Sequence, residues 1–383
     1  MRNIGVVTAG RSDYGLYLPL LKKMSSHSDL KLLLYVTGMH LSSEYGNTLE
    51  EIKKDGFPIT AKVDMLLSSD SPGGISKSMG IGTLGFAHVF EEHRPDLLVV
   101  LGDRFEMHSA AVAAVPFNIP IAHIHGGELT YGAFDNEFRH SLTKLCHLHF
   151  AATEEYAKRI IQMGEEPWRV VMTGALGLDA LSEMSFLSKT ELERHYGIHF
   201  SKSILLVTFH PVTREYEKME DYSVNLLKAL EAFPDFNIVF TSPNADTGHK
   251  SIVQKIKEFI EGHPNTFFVP NFGPQGYVSM MAHTAAMIGN SSSGIIEAAS
   301  FKLPVVNIGT RQEGRLRNKN VIDVEYSFKA IRNGIARAIS KEFLTSIQDV
   351  VNSYGNGRAS DKMISVLSQV NLQEVCSKRF MSV

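Results

Sequence analysis

Short apolar runs alternate with longer amphipathic runs along most of the chain. Apolar runs of about four to eight residues are typical of buried strands, and amphipathic runs between them are typical of helices. This alternation predicts parallel α/β units. The strands predicted in the first half are NIGVVTA, KLLLYVTG, ITAKVD, DLLVVLGD, IPIAHIHGG, LHFAAT and RVVMTG. Helices are predicted between them, for example over residues 15–24, 75–93 and 136–145.

A second series of the same kind follows a polar stretch with weak strand character, SFLSKTELERHYGIHFSKS. Its predicted strands are ILLVTFHP, FNIVFTSPN, NTFFVP, AAMIGNSS and PVVNIGT. From Tyr326 onward the pattern is helical and ends in a polar tail. Two series predict two doubly wound domains facing each other across a cleft, residues 1–175 and 176–383, with the C-terminal helices in the second. A single large sheet is the poorer alternative.

Composition narrows the classes of ligand. The chain has 383 residues, of which 44% are hydrophobic and 21% charged, and its formal net charge is −3. A net negative chain has no broad basic field, so we expect no nucleic acid and no anionic membrane as partner. Any anionic ligand must therefore be bound by a local pocket.

The cysteines and the apolar runs bear on location. Cys146 and Cys376 are the only cysteines, which fits a reducing compartment better than a disulfide framework or a thiolate zinc site. The first residues lead directly into a predicted strand, and no run reaches the roughly 18 apolar residues of a membrane span. These features predict a soluble, cytoplasmic protein.

Polar residues collect where the predicted strands end. Parallel α/β sheets bind ligands beyond the carboxyl ends of their strands, so these positions are candidates for one site between the domains. In the first half they are Arg11, Asp103, Arg104 and the segment from His123 to Glu128, and in the second half His210, Asn244 and Ser291 to Ser293.

The motif GNSSSGIIEAA at 289–299 follows a predicted strand and opens a predicted helix. Its serines suit a helix N-terminus, where free N–H groups bind phosphate, and Glu297 lies one and a half turns further on. An ordinary capped helix is equally compatible with this motif. The nearby GTRQEGR adds Arg311 and Arg315, which favours an anion site. The motif at 289–299 is not a Walker loop, because no Gly-Lys-Ser/Thr is present, and no GxGxxG follows the first strand.

The segment HIHGGELTYGAFDNEFRHSLTKL is rich in groups that transfer protons. Within eighteen residues it has His123, His125, Glu128, Asp135, Arg139 and His140. His123 and His125 would share one face of a strand, and with Glu128 or Asp135 they could bind a metal. The chain lacks HExxH and a nearby cysteine ligand, so we favour acid–base chemistry. Alternatives for the outlying residues are structural: Asp103 as a helix cap beside a surface Arg104, and His210 as a buried structural histidine.

Together these motifs resemble the UDP-N-acetylglucosamine 2-epimerase family, specifically its hydrolysing branch in sialic-acid and legionaminic-acid biosynthesis. The motifs that carry the resemblance are GRSDYG, GDRFE, HIHGGE, DNEFRHSLTKL, HP, SPN, GNSSSGIIEA and GTRQEGR, in order from residue 10 to residue 315. The resemblance implies two Rossmann-like domains of the GT-B type, no metal, no nicotinamide or other cofactor, and a homodimer or homotetramer.

The resemblance also implies roles for the candidate residues. UDP would lie on the second domain, with Ser291 and Ser292 at the diphosphate and Glu297 at the ribose. The residues implied to line the nucleotide and diphosphate are Arg11, His210, Asn244 and Arg311. The implied catalytic residues are Asp103, Glu128 and Asp135, with Arg104 and His140 beside them. At His125 the mammalian bifunctional relative has glutamate, whereas bacterial relatives often have histidine.

The implied reaction converts UDP-GlcNAc to UDP and N-acetylmannosamine by elimination of UDP and hydration of a glycal-like intermediate. The same chemistry on UDP-N,N′-diacetylbacillosamine is the main alternative. A GT-B glycosyltransferase would share the nucleotide half but would have little use for the cluster of carboxylates and histidines between residues 103 and 140. A catalytically silent sensor of nucleotide sugars is a third possibility.

Overall fold

The computed structural model describes residues 1–42, 48–67, 71–129, 131, 135–212, 217–243 and 249–381, without the side chains of residues 135, 249 and 250. Contacts divide the chain into two compact units. The first comprises Met1–Glu128, Ala133–Ser182 and Tyr354–Val383, and the second comprises Leu129–Gly132 and Glu183–Ser353.

The first unit is a parallel sheet of seven strands in the order β3-β2-β1-β4-β5-β6-β7. Its strands are β1 (Arg2–Thr8), β2 (Leu30–Thr37), β3 (Ile59–Val63), β4 (Leu97–Leu101), β5 (Ile121–Ile124), β6 (Leu148–Ala151) and β7 (Val170–Met172). Its helices are α1 (Arg11–Ser26), α2 (Leu49–Lys54), α3 (Pro72–Glu92), α4 (Phe105–Ala114), α5 (Asp135–Leu145), α6 (Glu154–Gln162) and α7 (Gly177–Glu183), the last of which ends at the unit boundary.

Strand β4 shows why these apolar runs become central strands. Leu97, Val99 and Leu101 pack into the core on one face of the sheet, together with residues of α1. Leu98 and Val100 pack into the core on the other face, together with residues of α3 and α4. A strand covered by helices on both faces needs apolar side chains at every position, which explains the unbroken run LLVVL.

The C-terminal helices belong to the first unit, not to the second as the sequence pattern predicted. Helices α15 (Ala359–Gln369) and α16 (Leu372–Cys376) lie beyond a crossing of the chain at Tyr354. Met363 and Leu367 of α15 are buried in the same core as α1. The carboxylate of Asp179 accepts the backbone N–H groups of Ala359 (2.8 Å) and Ser360 (2.6 Å), which caps the start of α15. Local periodicity predicts these helices but not the sheet on which they pack.

The second unit is a parallel sheet of six strands in the order β10-β9-β8-β11-β12-β13. Its strands are β8 (Ile204–Thr208), β9 (Asn237–Thr241), β10 (Thr266–Val269), β11 (Ala286–Gly289), β12 (Val305–Ile308) and β13 (Val321–Val324). Its helices are α8 (Lys189–Tyr196), α9 (Met219–Leu230), α10 (His249–Glu261), α11 (Gly273–His283), α12 (Ser292–Ile296), α13 (Phe328–Ala338) and α14 (Lys341–Ser346).

Every predicted strand has a counterpart, and the two elements that the pattern missed are short. The edge strand β13 has the sequence VIDV, in which Asp323 is exposed. Helix α8 lies in the polar stretch that was expected to have weak strand character. Ser188 and Glu191 form a reciprocal capping box at its start, and this S-x-x-E signal could have predicted the helix.

Strand order reverses between β1 and β4 in the first sheet and between β8 and β11 in the second. In a doubly wound sheet the carboxyl ends at such a reversal border the ligand crevice. Among the residues that the structure describes, no helix is long and apolar enough to cross a membrane.

Candidate functional site

The turn after β4 presents Asp103 and Arg104. Arg104 occupies the N-cap position of α4 and makes no side-chain cap, so Asp103 does not have the capping role considered as an alternative. Arg104 instead donates two hydrogen bonds to the fully buried Glu106 carboxylate, from Nη2 (2.6 Å) and Nε (3.2 Å). Asp103 accepts a hydrogen bond from Arg139.

The turn after β5 presents His125 and Glu128. Strand β5 ends at Ile124, and His125 has a left-handed backbone with φ of 63°. The sequence had suggested that His123 and His125 share one face of a strand. They do not, because the strand ends between them. Gly127 also has a positive φ, and a Cβ there would lie 2.5 Å from the Tyr156 carbonyl oxygen. The HGG sequence thus allows a sharp turn that ordinary side chains would block.

His125 and Glu128 form a nearly buried pair. The Nδ1 atom of His125 lies 2.6 Å from Oε1 of Glu128, and the exposed fractions of the side chains are 12% and 5%. A carboxylate can only accept a hydrogen bond, so the pair favours the tautomer with the proton on Nδ1. Nε2 is then left as a proton acceptor, and it has no hydrogen-bond partner among the described residues.

Arg139 of α5 connects the two turns. Its Nη2 donates to Asp103, and its Nη1 lies 3.6 Å from Oε2 of Glu128 and donates to the His125 carbonyl oxygen (3.1 Å). The side chain is 4% exposed. One guanidinium thus fixes both carboxylates and the backbone that carries the imidazole, as bidentate arginine geometry allows. The sequence reasoning had included Arg139 in the motif but not among the catalytic candidates.

His123 stabilises the backbone next to Asp103. It is fully buried, and Nε2 lies 2.7 Å from the carbonyl oxygen of Gly102, immediately before Asp103. Burial lowers the pKa of His123 to about 3, so the ring is neutral and donates to that carbonyl. Its role is structural.

The remaining first-half candidates lie around this cluster with less defined contacts. His140 follows Arg139 on α5 and is half-buried, and burial together with the positive charges of Arg139 and Arg159 lowers its pKa. Asp135 begins α5, but its side chain lies outside the described residues. Arg11 begins α1, is largely exposed, and lies 3.8 Å from Glu51.

Metal binding was the alternative for the two histidines. No group of three or more His, Cys, Asp or Glu side chains in the described part of the chain is arranged to bind a metal ion. His123 is bonded to a carbonyl oxygen, and the carboxylates of Asp103 and Glu128 both contact the Arg139 guanidinium. This donor set favours proton transfer.

In the second unit, Asn290 organises the carboxyl ends of β8 and β11. Its amide accepts from the His210 N–H (2.7 Å) and donates to the His210 carbonyl oxygen (2.8 Å). The backbone carbonyl oxygen of Asn290 accepts hydrogen bonds from Arg311 Nη1 (3.1 Å) and Gln312 Nε2 (2.9 Å). Three candidate segments are thus connected through one buried asparagine, which the sequence reasoning had not singled out.

His210 is a neutral imidazole. It is buried, and burial together with the positive charge of Arg311 lowers its pKa to about 3. A neutral ring beside an arginine adds hydrogen-bonding capacity to the site without adding charge. Asn244, the other amide candidate, lies outside the described residues.

The serines start a helix shorter than the sequence predicted. Ser291 is the N-cap of α12, and its hydroxyl accepts from the Ser293 N–H at 3.4 Å. Helix α12 has five residues, so Glu297 lies just beyond its end instead of within it. Because the macrodipole of so short a helix is small, we expect any attraction for an anion here to come mainly from hydroxyls, N–H groups and Arg311.

Tyr277 of α11 is a further residue of this region that the sequence reasoning missed. Its hydroxyl lies 3.3 Å from Oγ1 of Thr208, at the end of β8. Burial raises the pKa of Tyr277, while the hydroxyls of Thr208, Ser291 and Ser293 act in the opposite direction. The phenol therefore stays protonated beside the serines.

Comparison with known proteins identifies the family of the chain. The model of the family described as UDP-N-acetylglucosamine 2-epimerase matches residues 22–368. The chain belongs to this family.

Individual relatives agree with the assignment. The chain is 39% identical to the UDP-N,N′-diacetylbacillosamine 2-epimerase (hydrolyzing) of Legionella pneumophila, over 97% of each chain. It is also 39% identical to the GDP/UDP-N,N′-diacetylbacillosamine 2-epimerase (hydrolyzing) of Campylobacter jejuni, over 99% of this chain and 98% of the relative.

A solved structure supports the fold. The UDP-GlcNAc 2-epimerase from Neisseria meningitidis bound to UDP-GlcNAc matches with a TM-score of 0.81 at 19% identity, covering 95% of this chain and 99% of that one. The prediction of two Rossmann-like α/β halves of the GT-B type is confirmed.

Proposed function

We propose that the chain is a hydrolysing 2-epimerase that acts on a UDP-linked 2-acetamido sugar. The observation that carries the proposal is the connected set Asp103, Arg139, Glu128 and His125 at the carboxyl ends of β4 and β5. The coarser assignment to the epimerase family stands on the family match.

The first-unit set has the groups that epimerisation at C2 requires. One group must remove the C2 proton and another must return a proton to the opposite face. The His125–Glu128 pair leaves Nε2 as a proton acceptor, in the same way that a carboxylate orients a catalytic histidine elsewhere. Asp103, fixed by Arg139 and 23% exposed, is a second proton-transfer group.

The second-unit set suits a leaving group. We infer that the diphosphate is bound by the hydroxyls of Ser291 and Ser292 and by Arg311, with Glu297 at the ribose and His210 beside it. Stabilising the charge that develops on UDP as the bond breaks accelerates the step. Arg11 and Asn244 are proposed nucleotide contacts, and Arg104, Asp135 and His140 are proposed to act near the sugar.

The proposed reaction balances without a cofactor. A base takes the C2 proton, the C2–H electron pair forms a C1=C2 double bond, and the C1–O bond breaks to release UDP. Water then adds its oxygen to C1 of the glycal-like intermediate, and a proton adds to C2 on the opposite face. The net reaction consumes one water and yields UDP and a free sugar inverted at C2.

Two sugars remain candidates. The sequence predicted UDP-GlcNAc, which would give N-acetylmannosamine for sialic-acid biosynthesis. The names of the two relatives at 39% identity favour UDP-N,N′-diacetylbacillosamine, which would serve legionaminic-acid biosynthesis. A relative named UDP-N-acetylglucosamine 2-epimerase, from Neisseria meningitidis serogroup B, is 33% identical. On the names of these two relatives we favour the diacetamido sugar.

Product analysis tests the proposal. The purified chain is incubated with each UDP-sugar, without an acceptor, and the products are identified by proton and phosphorus NMR. We expect UDP and a free sugar inverted at C2, formed faster from the diacetamido substrate. UDP-linked epimer as the product would indicate a reversible epimerase, and no UDP release without an acceptor would favour a glycosyltransferase or a sensor.

Two further properties are proposals. Both cysteines are free, one buried and one exposed, which supports a reducing, cytoplasmic setting. A homodimer or homotetramer is proposed from the family, and light scattering coupled to size-exclusion chromatography would measure it.

A further inference from the structure

The last described residues of the chain run along the end of helix α5. The ammonium of Lys378 donates to the carbonyl oxygens of Cys146 (2.7 Å), Lys144 (2.8 Å) and Thr143 (3.4 Å). The final carbonyls of a helix have no partner within it and form the negative end of its dipole. Lys378 therefore caps α5 from a position more than two hundred residues away in sequence.

A buried glutamate joins this lysine to the helix a second time. Glu165 is fully buried and accepts from Lys144 (2.5 Å) and Lys378 (2.8 Å), and it lies 3.1 Å from His149 Nε2. Burial alone would raise the pKa of Glu165, but these donors outweigh it and lower the pKa to about 2. The charged carboxylate thus connects α5 to the C-terminal segment, which comprises residues 375–381.

Other contacts secure the segment from both sides of Lys378. The buried Arg169 donates to the carbonyl oxygens of Val375 (2.7 Å) and Ser377 (2.9 Å). The Phe380 ring lies against Gly164, where a Cβ would approach it to 2.7 Å. The ammonium of Lys144 lies 4.8 Å from the centre of the same ring. These are more contacts than a solvated tail would make.

Helix α5 links the C-terminal segment to the candidate catalytic cluster, because it carries Arg139 as well as the carbonyl groups that Lys378 caps. Arg139, which bonds Asp103 and lies beside Glu128, is seven residues before the capped carbonyl of Cys146, about two helical turns. A helix moves nearly as a rigid body over that distance, so a shift at its end displaces the guanidinium.

We propose that Lys378 is a positioning residue, which holds Arg139 between Asp103 and Glu128 by capping helix α5. The proposal rests on the proposed function, because its main readout is turnover. Lys378 does not touch the substrate in this account, and it acts only through the helix.

Three variants test the inference: Lys378→Met, Lys378→Arg and, as a matched control, Lys22→Met at an exposed lysine of α1. For Lys378→Met we expect kcat to fall on the order of tenfold, because small displacements of catalytic groups are costly. KM and UDP affinity should change little, since the proposed nucleotide contacts of the second unit are untouched. Lys378→Arg should recover most of kcat, and Lys22→Met should match the wild type.

Hydrogen–deuterium exchange of peptides covering residues 135–146 gives a readout that needs no substrate. Lys378→Met should speed exchange there and leave α9 unchanged. Val375→Ala removes the contacts of a fully buried side chain in the same segment as Lys378 without unpairing a buried charge, so it should reproduce both effects if Lys378→Met folds poorly. A lowered melting temperature with unchanged kcat in both variants would overturn the inference, and so would unchanged exchange in α5. Wild-type inactivity on both sugars would instead overturn the proposed function, together with the positioning role.

Discussion

The two units carry their candidate residues at corresponding places in similar sheets, but the chemistry differs. In the first unit the set is charged: one buried guanidinium contacts two carboxylates, and one of these carboxylates is bonded to the His125 imidazole. In the second unit it is largely neutral: a buried asparagine connects two backbone segments, and His210, Tyr277 and the serines add uncharged polar groups beside Arg311.

This difference separates the two tasks of the proposed reaction. Proton transfer needs groups that change charge, and charged neighbours tune such groups. Binding a diphosphate needs donors that are already in place and one or two permanent positive charges. In the proposed reaction, the same sheet architecture would therefore serve proton transfer in one unit and anion binding in the other.

The largest effect that would test this separation is expected for Asp103→Asn. The substitution keeps the size of the side chain but removes its ability to accept a proton, so kcat should fall on the order of 10²–10⁴-fold. UDP affinity, measured by calorimetry, should stay at the wild-type value. Asp29→Asn, at an exposed position in the same unit, is the control. Loss of UDP affinity in Asp103→Asn would contradict the division of tasks.

A smaller but still large effect is expected for Arg139→Met. Removing one partner of a buried ion pair leaves uncompensated charge, so the free energy of unfolding should fall by roughly 3 kcal/mol. Urea titration would measure it, and turnover of the folded protein should fall as well. A stability like that of the wild type would show that Arg139 does not hold Asp103 and Glu128 together.

Glu297→Ala tests the proposed nucleotide-binding role of the second unit. An unpaired ribose hydroxyl would weaken UDP binding by about 1–3 kcal/mol, while kcat at saturating substrate should change much less. Calorimetry and steady-state kinetics give the two values. Equal losses of UDP affinity in Glu297→Ala and Asp103→Asn would mean that the halves are misassigned.

The smallest effect concerns pH. Because the pKa of His210 is lowered from 6.5 to about 3, the unfolded chain binds a proton that the folded chain does not bind between these values. The free energy of unfolding should therefore fall as pH drops below 6.5, by up to about 1.4 kcal/mol per pH unit for this residue. Between pH 7 and pH 6, His210→Asn should lose less stability than the wild type, by less than about 1 kcal/mol. An identical loss would argue that the ring is not held neutral, and His88→Asn, at an exposed position, is the control.

Much of the fold could be predicted from sequence because its central strands are buried at nearly every position. Runs such as LLVVL are apolar at every position, and the polar residues that follow them mark the carboxyl ends. Strand β13 was missed because it is a short edge strand with an exposed aspartate. The unit to which α15 and α16 belong was predicted wrongly, because packing on α1 depends on contacts between distant residues.

The site was predictable as a set of residue types but not as a network. The sequence placed Asp103 and the segment from His123 to Glu128 at the carboxyl ends of two predicted strands, yet nothing in their spacing shows that Arg139 joins them. His123 and His125 were expected on one strand face, and the left-handed backbone at His125 separates their roles. The HGG sequence was the available signal for that turn.

Exchange of the C2 proton with solvent shows whether the first-unit cluster transfers this proton while UDP leaves. The reaction is run in D₂O on the preferred substrate, and the free sugar is examined by NMR. We expect deuterium at C2 in the inverted product from the wild type and from Glu297→Ala at saturating substrate, and formation of this product about 10²-fold or more slower from Asp103→Asn. A free sugar that keeps its original C2 proton and configuration would show simple hydrolysis at C1 and would contradict proton transfer at C2.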